Sequence, residues 1–135
     1  MKTEWYQLIR EFLTNKVKPS FIIVFGSYAK GLSHRNSDID IAFYSEDTIL
    51  SSYDLFIIAQ ELAELLKIEV DLIDLRKAST VLKAQIFSTG KVIFADDELL
   101  LKKQQMIALK MYAELNEQRK EILNRIEESG RVYEE

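Results

Sequence analysis

Two apolar periods take turns along the chain, and their alternation predicts the elements. Residues 3–16 place Trp5, Leu8, Ile9, Phe12 and Leu13 at helical spacing, and Pro19-Ser20 ends that segment. Phe21-Ile22-Ile23-Val24-Phe25 follows, a continuous run of mostly β-branched or aromatic residues that reads as a strand buried on both faces. Gly26-Ser27 stops it abruptly. Residues 38–44 open with polar/apolar alternation and predict a second strand. Leu55, Ile58, Ala59, Leu62, Leu65 and Leu66 form a helical stripe over 51–66, with Ser51-Ser52 available as caps. Alternation returns in a third strand over Ile68–Leu75. Ser79–Phe87 predicts a short helix ended by Gly90, and Val92–Phe94 a last short strand.

A long helix is expected from about residue 97 to 128, capped by Asp96 or Asp97 and closed at Ser129-Gly130. Leu101, Ala108, Leu115 and Ile122 recur every seven residues, with Tyr112 and Ile126 beside them. At roughly 30 residues, or ~45 Å at 1.5 Å per residue, this helix outruns a small sheet. Its first part is expected to pack on the sheet; the distal half, Leu115–Val132, is a candidate partner surface. Strands alternating with helices predict an α/β (α+β) fold, a small sheet with flanking helices, in a strand order the sequence leaves open.

Composition narrows the chemistry. A chain of 135 residues with no repeat and no Gly/Ser/Pro-rich linker predicts one domain, 1–135. Apolar residues at 47% and charged residues at 30% describe a globular chain rather than a disordered one. No apolar stretch approaches the ~18–20 residues of a membrane span, and MKTEWYQLIREF is charged and amphipathic rather than signal-like, so a cytoplasmic protein is expected. The 22 acidic residues against 18 basic ones argue against stable direct binding to nucleic acid. With no Cys, disulfides, zinc knuckles and thiol nucleophiles are excluded, which leaves Ser, Asp, Glu, Lys and the lone His34 to carry any chemistry.

The informative stretch runs from Gly26 to Asp40. Glycine lets the backbone turn sharply and a ligand approach closely. Free N–H groups at a following helix start, with the Ser27 hydroxyl, suit a phosphate oxygen. Asp38 and Asp40 lie two apart on a predicted strand, so both carboxylates project from one face. Two carboxylates ~5 Å apart repel by roughly 3 kcal/mol at an effective dielectric of ~20, a cost a divalent cation such as Mg²⁺ reverses. Asp71 shares a face with Glu69 and Ile73, whereas Asp74 points the other way. If the second and third strands are neighbours, Asp71 completes a three-carboxylate site of the kind phosphoryl transfer uses.

Gly26-Ser27, ten intervening residues, Asp38-x-Asp40 and Asp71 on a later strand together resemble the nucleotidyltransferase superfamily typified by DNA polymerase β, over roughly residues 18–95. The short chain is similar to the minimal nucleotidyltransferases, the MntA-type antitoxins of toxin–antitoxin pairs. The resemblance implies a palm-like mixed sheet with flanking helices and, for this chain, a long C-terminal helix beyond it. It implies that ATP lies with its phosphates against Gly26, Ser27 and Lys30. It implies that Asp38 and Asp40 hold Mg²⁺ and that Asp71, the third carboxylate of the catalytic and metal set, helps activate an acceptor hydroxyl. Lys30 departs from the Gly-Ser-x-Ala-Arg-Gly of many relatives; it keeps the charge but lacks the planar fork of arginine. His34 and Arg35 read as loop residues, and Tyr28 as a packing residue.

Minimal members lack a second substrate-gripping domain, and here everything after Phe94 is one helix and a short tail. The resemblance therefore implies that a partner presents the acceptor: a HEPN-domain (HepT-like) RNase toxin that receives AMP on a tyrosine near its RNase site. A negatively charged phosphodiester there obstructs RNA by bulk and repulsion. Two alternatives stand beside this: nucleotidyl transfer to a small molecule such as an aminoglycoside, and an antitoxin that neutralises by contact alone. Homo- or hetero-oligomers through the C-terminal helix fit each of them.

Overall fold

Phe21–Phe25 forms β1, with all five residues buried, as the continuous apolar run predicts. It is central because a run without polar positions needs cover on both faces. The computed structural model describes residues 2–26 and 38–133. The readings placed on Ser27, Tyr28, Lys30, His34, Arg35 and a short helix after the Gly-Ser turn lie outside the described residues.

Ile39–Tyr44 is β2, Val70–Asp74 is β3 and Lys91–Ala95 is β4, in the sheet order β3-β2-β1-β4. β1 pairs antiparallel with β2 and with β4, while β2 and β3 run parallel. The parallel pair needs a crossover, and Ser52–Leu66, α2, supplies it. Ser51 caps α2 by accepting from the Asp54 N–H at 3.1 Å. At its other end Lys67 takes the left-handed conformation (φ 60°), and its N–H donates to the Ala63 carbonyl.

One face of the sheet is covered by α2 and by α1, Lys2–Val17. The buried row of α1 is Tyr6, Ile9, Leu13 and Val17; Trp5, Leu8 and Phe12 flank it and are partly buried. The expected stripe is thus turned slightly, because Tyr6 buries its ring beneath its polar hydroxyl. On α2 the core takes Ile58, Ala59, Leu62 and Leu66, while Leu65 is exposed.

The opposite face is covered by Thr80–Thr89, α3, and by the start of Glu98–Tyr133, α4. Ser79 caps α3, and the chain turns at Gly90 into β4. A side chain at Gly90 would collide with the Ile23 side chain and the Ile86 carbonyl, so only glycine lets the turn sit against β1. Asp97 caps α4 through the Leu100 N–H at 3.0 Å. Ala108 is the buried contact of α4, whereas Ile122, Leu123 and Ile126 are exposed. α4 also passes through Ser129-Gly130 to Tyr133 rather than stopping there. A glycine closes a helix only where the chain turns left-handed; inside a helix it costs about 1 kcal/mol relative to alanine, too little to stop one.

Candidate functional site

Three carboxylates meet where β1 ends and β2 and β3 begin. In register, Asp40 of β2 lies between Phe25 of β1 and Asp71 of β3. Neighbouring strands are about 4.8 Å apart, so Asp40 and Asp71 project side by side from one face. That face also carries Ala42 and Ile73 of the α3/α4 core, while Ile39, Ile41 and Leu72 enter the α1/α2 core. Asp38 precedes β2 on the same parity and is exposed, as is Asp71. The Ile39 N–H donates to the Glu69 carbonyl at 3.0 Å and ties the two strand entrances together.

Gly26 turns the chain off β1 with φ +75°. A side chain there would strike Oδ2 of Asp40. Glycine is therefore needed twice over, for the left-handed backbone and for the space the carboxylate fills. Gly26 and Asp40, from two motifs separated by ten residues in sequence, thus lie against each other.

Burial first, and the nearby charges of Asp71 and Asp38 in the same direction, together push the Asp40 carboxyl up to about 6. Among the described residues, nothing acts to bring it back down. Carboxylates held together at this cost favour a cation or a transferable proton.

Beside the cluster lies a cleft of ≈ 340 Å³ lined by Asp38, Gln60, Ala63, Glu69, Val70 and Asp71. Among the described residues no group of three or more His, Asp or Glu is arranged to hold a metal ion by itself. An all-oxygen set with one or two available carboxylates nevertheless fits Mg²⁺, which keeps waters and takes phosphate oxygens for its remaining positions.

Of the residues singled out in the sequence, Gly26, Asp38, Asp40 and Asp71 come together; Ser27 and Lys30 lie outside the described residues. Asp74 is buried and accepts from the Arg76 N–H at 3.0 Å, capping a 3₁₀ turn over Leu75–Lys77. Gln60 and Ala63 of the cleft carry no sequence signal, because their place depends on how α2 crosses the sheet.

Comparison with known proteins follows the same line. The family described as "Polymerase beta, Nucleotidyltransferase" matches residues 7–99. "Protein adenylyltransferase MntA" of Shewanella oneidensis is 41% identical over 121 residues, covering 87% of this chain and 84% of that protein. A crystal structure of a toxin–antitoxin with AMP-PNP superposes with a TM-score of 0.81 at 37% identity, over 90% of this chain and 97% of that one. A tri-AMPylated Shewanella oneidensis HEPN toxin in complex with MNT antitoxin gives a TM-score of 0.79 at 32% identity, over 93% of this chain and 98% of that one.

Proposed function

The chain belongs to the polymerase β-type nucleotidyltransferase family, and from that premise we propose that it is a protein adenylyltransferase antitoxin, moving AMP from ATP to a tyrosine of a HEPN-domain RNase toxin. The observation that carries the reading is the carboxylate cluster, in which Asp40 is raised to about 6 beside Asp38 and Asp71 and lies against Gly26. The similar adenylyltransferase, the AMP-PNP complex and the AMPylated toxin support the choice of nucleotide and acceptor.

Asp38 and Asp40 would hold Mg²⁺, with Asp71 completing the set. Bound there, the ion would neutralise triphosphate charge during the displacement. Gly26 and Ser27 offer backbone N–H groups to the phosphates, and Lys30 adds a point charge. The acceptor oxygen forms its bond to the α-phosphorus as the bond to the bridging oxygen breaks and pyrophosphate leaves. Asp71, on the exposed side of the cluster, takes the hydroxyl proton. A cytoplasmic site of action follows from the need for ATP and for an RNase partner; no helix among the described residues is long and apolar enough to cross a membrane.

The test is mass spectrometry of the toxin after incubation with this protein, ATP and Mg²⁺. The toxin is expected to gain whole adenylyl groups, and Asp40→Asn to abolish the gain. An unchanged toxin mass, or equal transfer by Asp40→Asn, overturns the reading.

A further inference from the structure

α2 is apolar on a second side that the core does not use. Tyr53 and Phe56 are 71% and 59% exposed, and Ile49, in the loop leading into the helix, is 82% exposed. At 100° per residue, Tyr53, Phe56, Gln60 and Ala63 fall within about 80° of one another, in a stripe ~15 Å long. The Lys16–Glu61 ion pair at 3.3 Å marks the flank of α2 that faces α1. The stripe lies on the other flank, toward β3, the margin strand of the sheet. Its Gln60–Ala63 end lines the acidic cleft with Asp38 and Asp71.

This surface is held in place. Lys77 donates to the Leu50 carbonyl at 2.6 Å, and Arg76 to the Ser45 and Glu46 carbonyls at 3.0 and 3.2 Å, so the loop carrying Ile49 is pinned to the turn after β3. Large exposed aromatic side chains on a rigid helix mark a contact surface. The charge around them is negative, from Glu64 on the helix and from the cleft. The partner that complements it has apolar anchors and a basic rim. An RNase has such a rim, because RNA phosphates must be neutralised where it binds them.

We infer that the outer flank of α2, through Ile49, Tyr53 and Phe56, is where the toxin docks the basic edge of its RNA-binding surface. The acceptor tyrosine then lies at the Gln60 end of the stripe, in the cleft beside Asp38 and Asp71. This rests on the reading above that the acceptor is an RNase toxin, and it adds which face of the protein selects it. Docking covers the RNA site on each encounter, and transfer leaves the block in place afterwards.

The probe is a HEPN-domain RNase toxin from a reading frame adjoining that of this chain, made harmless by substitution in its active site. Its affinity for the whole protein is measured by calorimetry without ATP, and Mg-ATP binding by thermal shift on the same samples. Tyr53→Ser with Phe56→Ser is expected to raise the toxin Kd at least tenfold and leave the Mg-ATP shift unchanged. Glu64→Lys is expected to raise Kd at least threefold at low salt and much less at 0.5 M, where surface charges are screened. A Kd within twofold of wild type in these variants overturns the proposal, as does loss of binding in Ile122→Ser with Ile126→Ser on α4 but not in the α2 variant. Absence of any wild-type complex overturns it too. Should the double variant lose its helical circular dichroism, Glu64→Lys decides alone. A wild type that binds toxin but leaves its mass unchanged with ATP removes the transfer reading, while the affinities still decide the docking site.

Discussion

The two ends of β2 are built on opposite principles. At its far end every polar group is answered. The buried Ser45 hydroxyl donates to the Val17 carbonyl at 2.8 Å and accepts from the Thr48 N–H at 3.3 Å. Asp74 at the end of β3 caps its own turn, and Arg76 ties the neighbouring carbonyls. At the near end Asp38, Asp40 and Asp71 crowd together, and burial and mutual repulsion raise Asp40 to about 6. β3 carries an aspartate at each end, Asp71 at the near one and Asp74 at the far one. What separates them is whether the described residues supply the partner. A satisfied carboxylate stabilises; one left unsatisfied awaits a ligand.

The sharpest way to break this comparison is within β3. Asp71→Asn is expected to lower AMP transfer at least a hundredfold, about 3 kcal/mol of barrier, with the melting temperature nearly unchanged. Asp74→Asn is expected to do the reverse, costing about 1 kcal/mol of stability in denaturant titration and leaving transfer near wild type. Equal effects on transfer would erase the distinction between the two ends. Gly26→Ala tests the near end from the β1 side. Its methyl group must displace the Asp40 carboxylate, and its left-handed backbone costs roughly 1–2 kcal/mol. Transfer is expected to fall on the order of tenfold or more, measured by single-turnover assay.

Smaller effects follow on stability. Ser45→Ala leaves the buried Val17 carbonyl and the half-buried Thr48 N–H without their partner, costing about 1–2 kcal/mol in urea unfolding with transfer intact. Asp40→Asn in the metal-free protein has the opposite sign. The folded state raises this carboxyl from 3.8 to about 6, so its contribution is favourable below pH ~4 and is lost as pH rises through ~6. The variant should therefore match wild type near pH 4 and exceed it at pH 7–8. The gain is expected on the order of 1 kcal/mol after allowing for solvent screening.

Much of the fold could be read from periodicity because its elements are sharply written. β1 is an uninterrupted apolar run, α2 and α3 open on serine caps, and the helix-to-strand turn falls at Gly90. The limits were least legible where a signal serves two purposes. Gly130 reads as a stop but is carried within α4, and Tyr6, outside the expected stripe of α1, packs in the core. The carboxylates were legible as types and as parity, since residues two apart on a strand share a face. Gln60, Ala63 and the exposed flank of α2 were not, because their role depends on which strand lies beneath the helix.

The sequence by itself determined the elements, the glycine after β1 and the three aspartates, for these depend on local backbone geometry and residue chemistry. The tertiary structure decided that β3 lies beside β2 in parallel, bringing Asp71 opposite Asp40. It also decided that Gly26 is kept bare by the Asp40 carboxylate. Strand order and register are settled by how whole faces bury against helices, a sum over distant residues that no local pattern contains.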